Sequence, residues 1–331
     1  MSAGWVAGVT RARALRTRCL GAEGIRDVAA SHTLDDALRY LAATPYRHGV
    51  SPGHGVSPGA TPAEAQRAVS ATLLWHLRVL AGWQPATGAD AIRALAAGFE
   101  ISNARHHLRP LSAEDPRTAS ARAPDLDTRR LPPYRLGALA TAWTRLAHTR
   151  TPTELRAALA ASVWGDPGDE SPAAVATGMR VSAAIRLATA VPDAAPWAAA
   201  RLALLFAREV FVVGRRLPDV SVSRAARLLG PRAVGARSYA DFRQALPTTA
   251  RWLLDDVDEA ADLWRAEARW WNAVERDGRE LLRRSHFGPQ PVVGAVALLS
   301  VDAWRTRGAL ELAARGGGPG DWSAEVLDAP R

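Results

Sequence analysis

The sequence predicts an all-α protein of three pseudo-symmetric helical modules packed as a socket around a central hollow. Three observations carry that prediction. Alanine, leucine and arginine dominate, while Tyr (4) and Phe (5), which favour strands, are scarce. Apolar residues recur at spacings of three and four, with no run of alternating strand-like residues. One helix opening is written three times: "TLDDALRYLAATPY" from Thr33, "TPTELRAALAASVW" from Thr151 and "SYADFRQALPTTAR" from Ser238.

The chain has 331 residues, enough for about two average domains or one large one, and its 48% hydrophobic content is that of a globular protein. It has no lysine, so all 42 basic residues are arginines, as a GC-rich coding sequence favours. The net charge of +9 suits an anionic partner, yet the arginines are dispersed and name none. Cys19 is the single cysteine, which excludes an intramolecular disulfide and a cysteine-based zinc site and fits a reducing compartment. Arg201, Arg208 and Glu209 interrupt the longest apolar stretch, and the next stops at Asp302, short of the ~20 residues a spanning helix needs. The N-terminus has its arginines after its apolar residues, the reverse of a secretory signal. The expectation is a cytoplasmic protein.

In chain order, the Arg/Ala-rich segment "VAGVTRARALRTRCLG" reads as a first helix, with Cys19 as a small core residue. The Thr33 helix follows. "GVSPGHGVSPGATP" (49–62) is a tandem insert that cannot hold a helix. A basic helix then closes the first module, 1–111, and a polar, proline-rich linker covers 112–133. Module two occupies 134–217 and opens at Thr151. A second linker is expected at 218–237, and module three at 238–315. In it Leu253, Val257, Ala260, Trp264, Trp271 and Val274 form one stripe on a long helix. The acids Asp255, Asp256, Asp258 and Glu259 near its start complement the helix dipole. A flexible tail, 316–331, begins with a glycine helix stop. The 12 tryptophans read as core and helix-packing residues.

The repeat is detailed. Thr33, Thr151 and Ser238 are followed at the third position by Asp36, Glu154 and Asp241, a pattern close to a capping box. Leu41, Leu159 and Leu246 stand eight residues after the cap, and Thr44, Ser162 and Thr249 three further on. A second segment recurs as "EISNARHHL" from Glu100, "EVFVVGRRL" from Glu209 and "DAWRTRGAL" from Asp302, each opening on an acid and carrying basic residues. Three modules that each open with a capped helix and close with a basic helix account for both. The closing segments present Arg105 and Arg109, Arg215 and Arg216, and Arg305 and Arg307, expected as partner-interface residues because guanidinium forks bind carboxylates and carbonyls.

These blocks resemble the C-subunit family of the V/A-type rotary ATPases, whose equivalent in the vacuolar enzyme is the d-subunit. The resemblance rests on the first helix, on "TLDDALRYLAATPY" with its Thr-Pro-Tyr ending, on "FEISNARHHLRPL" with Asn103, and on "HFGPQPVVGAVALLSVDAWRTRGALELAARGG". Asn103 becomes Val212 and Arg305 in the later copies, and the Thr-Pro-Tyr ending survives only in the first. The resemblance implies a funnel-shaped helical adaptor of the central stalk, peripheral on the cytoplasmic face. Its partners would be the proteolipid ring and the axle, with membrane contact only through the ring. An arginine-rich scaffold for an anionic partner such as nucleic acid is the alternative, disfavoured because no recognised nucleic-acid module is present.

No catalytic residue, cofactor or metal is expected. A P-loop needs a lysine on the phosphates, and none exists. "GVSPG" occurs twice and matches the G-x-S-x-G elbow around Ser51 and Ser57, beside His54. A helix precedes it and proline follows each serine, so the strand-to-helix turn the chemistry requires is not expected. His106 and His107 are adjacent on a helix and diverge, against a shared ion.

Overall fold

The computed structural model describes residues 3–50, 59–112 and 131–317. The protein is all-helical, with no strand among the described residues. In chain order the helices are α1 (Ala3–Ala14), α2 (Gly21–Ala30), α3 (Leu34–Ala42), α4 (Arg47–Val50), α5 (Pro62–Gly82), α6 (Ala86–Leu95), α7 (Ala97–Leu111), α8 (Trp143–Leu146) and α9 (Pro152–Ala160). They continue with α10 (Pro172–Ala190), α11 (Ala195–Ala207), α12 (Asp219–Leu229), α13 (Pro231–Val234), α14 (Tyr239–Ala245), α15 (Thr248–Arg251), α16 (Leu263–Arg283) and α17 (Pro289–Ala314).

Compactness divides the chain into two units. Unit one joins Met1–Ile92 to Trp271–Arg331, and unit two is Arg93–Trp270. This is a different partition from the expected modules: α7, expected to close module one, belongs to unit two.

In unit one, α17 packs against α1, α2 and α5. Ile25, Val28, Leu38, Leu41, Val69 and Leu310 are buried in one cluster. The approach of α16 and α17 is close enough to require glycine: a Cβ on Gly294 would lie 2.6 Å from the Gly278 carbonyl oxygen and the Leu282 nitrogen. In unit two, α7 packs on α10, and Ile101, Leu108, Leu146, Leu155, Leu159, Trp164 and Met179 are buried together. A second cluster gathers Phe206, Phe242, Leu246, Leu253 and Leu263.

The three caps fold alike. Thr33, Thr151 and Ser238 have φ/ψ of −136°/157°, −130°/156° and −123°/157°, and each side chain accepts the N–H of Asp36, Glu154 and Asp241 at 3.1 Å. Leu41, Leu159 and Leu246 are fully buried. A fourth N-terminus, at α5, has a complete capping box between Thr61 and Glu64 that the repeat does not reveal. At the other end, the Gly317 and Gly316 N–H groups donate to the Leu312 and Ala313 carbonyls at 3.0 and 3.1 Å, with φ of 71° and 98°. This is a glycine-terminated Schellman stop at the expected position.

Four expectations need correction. The 218–237 linker is mostly helix: α12 and α13 bury Ala225, Leu229 and Ala233, because Ser221, Ala225 and Leu229 recur every four residues between Pro218 and Gly230. The long stripe is interrupted, since Leu253 and Val257 are buried outside any helix and α16 starts only at Leu263. Asp255, Asp256, Asp258 and Glu259 precede that start. Tryptophan is not uniformly core: Trp164 and Trp197 are buried, whereas Trp83 is 53% and Trp264 42% exposed. The second closing segment is not a regular helix; Arg208–Val212 is a π turn, broken by Gly214 at φ 68°. Residues 51–58, 113–130 and 318–331, with Ser51, His54, Ser57, most of the first linker and most of the tail, lie outside the described residues.

Acid sensitivity follows from α5. His76 is 5% exposed, and neither ring nitrogen has a hydrogen-bond partner among the described residues. Burial pushes its pKa down to about 4, and Arg18, His48 and Arg11 act in the same direction. The imidazole is neutral in the fold, while the unfolded chain takes up a proton near the ordinary value of 6.5. Stability is therefore complete above about 6.5 and falls as pH drops toward about 4, by as much as ~3 kcal/mol. Urea titrations across that window should show the slope, and His76→Leu should remove this part of it.

Candidate partner interface and the buried acid clasps

The six arginines expected at a partner interface do not share one environment. Arg105 and Arg109 are exposed on α7, and Arg216 is exposed after the π turn. Arg215 is half-buried and ion-paired with Glu209 in its own segment, and its N–H donates to the Glu209 carbonyl at 2.8 Å. Arg307 is half-buried, its guanidinium 3.5 Å from the Ser70 hydroxyl.

Arg305 contradicts its expected role. It is 5% exposed on α17, with its guanidinium 2.7 Å from a Glu275 carboxylate oxygen and 3.1 Å from Asn272 Oδ1. Arg279 also pairs with Glu275. A side chain enclosed and engaged in this way cannot reach a partner; it joins α17 to α16. The local sequence does not reveal this, because the carboxylate that makes burial tolerable lies on another helix.

The acids that open the closing segments are the better-built feature. Glu100 is 2% exposed, and its carboxylate accepts the N–H groups of Thr141 and Ala142 at 2.8 and 2.6 Å. The Trp164 indole donates to it at 3.3 Å. Asp302, 6% exposed, accepts the N–H groups of Leu20 and Gly21 at 3.0 and 2.9 Å, and the Tyr46 hydroxyl donates to it at 2.7 Å. Each acid thus takes two consecutive amides at the entrance to a helix and one aromatic donor. Burial raises the Asp302 pKa, and the donated hydrogen bonds work against that shift. Burial and Asp302 together hold the Tyr46 phenol well above its usual range, so it remains a donor.

The aromatic donors are placed alike. Tyr46 and Trp164 stand at the same spacing after the Thr33 and Thr151 caps. Thr44 and Ser162 donate to the Leu41 and Leu159 carbonyls, both at 2.7 Å, and accept the N–H of Tyr46 and Trp164 at 3.2 and 3.1 Å. The Thr-Pro-Tyr ending therefore has a counterpart in Ser162-Val-Trp164, although its letters differ. The third copy departs. Arg251 occupies the aromatic position and donates to the Gln244 and Leu246 carbonyls, and Glu209 bonds within its own segment. Phe206 and Phe211 pack on Phe242 there, with centroids 5.4 and 5.5 Å apart.

Asn103 has a comparable task. It is 2% exposed, donates to the Tyr134 carbonyl at 2.9 Å and accepts the Tyr134 N–H at 2.7 Å, fixing the non-helical segment around Tyr134 on α7. At the aligned positions Arg305 is buried in its ion pair, and Val212 is exposed.

His106 and His107 face separate carbonyls, of Ser102 at 2.7 Å and Thr149 at 3.0 Å. Among the described residues no group of three or more His, Cys, Asp and Glu side chains is placed to hold a metal ion. Cys19 is half-buried, and burial, then Asp302, pushes its thiol far above the usual range. It is not a reactive thiolate. Compared with known proteins, the sequence matches no family model and no curated protein.

Proposed function

We propose that the chain is a non-catalytic rotor subunit of a V/A-type ATPase, joining the axle of the central stalk to the membrane proteolipid ring. The observation that carries this reading is the repeated acid clasp. In terms of the three modules, the closing acid of the first, Glu100, holds the opening segment of the second, with Trp164. The closing acid of the third, Asp302, holds the opening segment of the first, with Tyr46. Linkage of one repeat's end to another's beginning is what a repeated adaptor needs to carry torque without its modules slipping.

Supporting arguments are the three equivalent caps and the sequence blocks that resemble the C-subunit family. The lack of any lysine leaves no P-loop in this chain, so hydrolysis of ATP would belong to other components. The proposed location is the cytoplasmic face, with the ring as the only membrane contact. Among the described residues no helix is long and apolar enough to cross a membrane.

Affinity capture tests the reading. Immobilised protein should retain the proteolipid ring and the axle from detergent-solubilised membranes of its source organism. Retention of neither, from membranes in which both are detected, would contradict it.

A further inference from the structure

We infer that unit two carries a docking surface for an acidic, partly apolar protein segment, centred on Arg180. This inference stands independently of the rotor assignment.

Helix α10 packs against both α7 and α11. That packing puts Arg180 of α10 within electrostatic reach of Arg105 of α7, Arg201 in the middle of α11 and Arg208 just past its end. Arg201 and Arg208 share one carboxylate, that of Glu267, at 2.9 and 2.8 Å. Burial would raise the Glu267 pKa, but the two guanidinium groups outweigh it and hold it below the usual range. Glu209 is engaged by Arg215. Both carboxylates are thus occupied, while Arg105 and Arg180 are exposed and have no ion-pair partner among the described residues.

The cluster is electrostatically unsettled. Desolvation, then Arg105 and Arg201, hold the Arg180 pKa below its ordinary value, and Glu209 only partly opposes them. Like charges brought onto one face by the packing of α7, α10 and α11 are relieved by an incoming anion. Beside them the π turn Arg208–Val212 ends in two adjacent exposed apolar residues, Val212 at 55% and Val213 at 56%. π turns break helical regularity and recur at functional sites.

The chemistry selects the occupant. Carboxylates match guanidinium forks two oxygens at a time, and an apolar side chain would cover the valines. A nucleic-acid backbone fits poorly, because a continuous row of phosphates needs a row of unengaged cations, and Arg201 and Arg208 already share Glu267 while Arg215 holds Glu209. The few unengaged arginines also fall short of the about 6–10 phosphate contacts typical of strong binding.

The probe is a synthetic amphipathic helical peptide with one glutamate face and one leucine face, measured by fluorescence anisotropy against the full chain at low salt. The peptide should bind. Arg105→Glu with Arg180→Glu should weaken it by at least about tenfold, with unchanged helical circular dichroism and melting temperature. Val212→Ser with Val213→Ser should weaken it to a lesser degree, and a peptide with glutamine in place of glutamate should not bind. Undiminished binding to the folded double charge variant would overturn the inference. So would tighter binding of random-sequence duplex DNA that the same variant abolishes, since the patch would then be a phosphate site.

Discussion

Asp302→Ala is expected to destabilise unit one by about 3–5 kcal/mol. The carboxylate accepts from the Leu20 and Gly21 amides and the Tyr46 hydroxyl; the carboxylate and phenol are buried and the amide bonds part-buried. Alanine leaves two amides and a buried phenol without acceptors, each costing roughly 1–3 kcal/mol, and adds a small void. Asp302→Asn keeps the shape and one acceptor oxygen and should fall between. Glu100→Ala should act alike in unit two, where it orphans the Thr141 and Ala142 amides and the Trp164 indole. Urea unfolding followed by circular dichroism measures both. A loss below ~1 kcal/mol would mean that the clasps do not hold their segments.

Arg305→Met is expected to cost about 3–5 kcal/mol, because it abandons the Glu275 carboxylate inside the protein. Glu275 is 6% exposed, and among the described residues only Arg279, itself half exposed, remains to pair with it. The double variant Arg305→Met with Glu275→Leu should recover most of the loss, since a buried ion pair is often no more stable than an apolar pair of similar volume. Arg109→Ala on exposed α7 should change stability by less than ~0.5 kcal/mol. Thermal melts of the four proteins separate the structural arginine from the surface one. Equal, small effects at Arg305 and Arg109 would restore Arg305 as an interface residue.

What the sequence reveals about this fold is mostly local. The Thr33, Thr151 and Ser238 caps are legible because hydroxyl and acid act within one helical turn. The glycine stop at Gly316 is legible for the same reason. The all-helical class follows from composition and period. Long-range devices are hidden: Asp302 meets Leu20 and Gly21 across nearly the whole chain, and nothing near Asp302 marks it as buried. Its recurrence as Glu100 and Glu209 is visible, but recurrence does not say what the carboxylate holds. Tyr46 and Trp164 share a spacing and a role but not a residue type. The α12 helix is hard to read because Pro218 and Gly230 draw attention from the four-residue stripe between them. Arg305 reads as a surface residue because arginine is rarely buried without a partner, and its partner Glu275 lies on a separate helix. The basic surface around Arg180 depends on which helices pack together, so no stretch of sequence announces it.

The most direct test of the proposed adaptor function is ternary assembly. Purified chain, detergent-solubilised proteolipid ring and axle would be mixed and resolved by size-exclusion chromatography with mass photometry. The proposal requires one complex containing all three, which forms only when this chain is present, with the chain bound to ring and axle at once. Binding to neither, or a ring and axle that join equally well without it, would contradict the assignment.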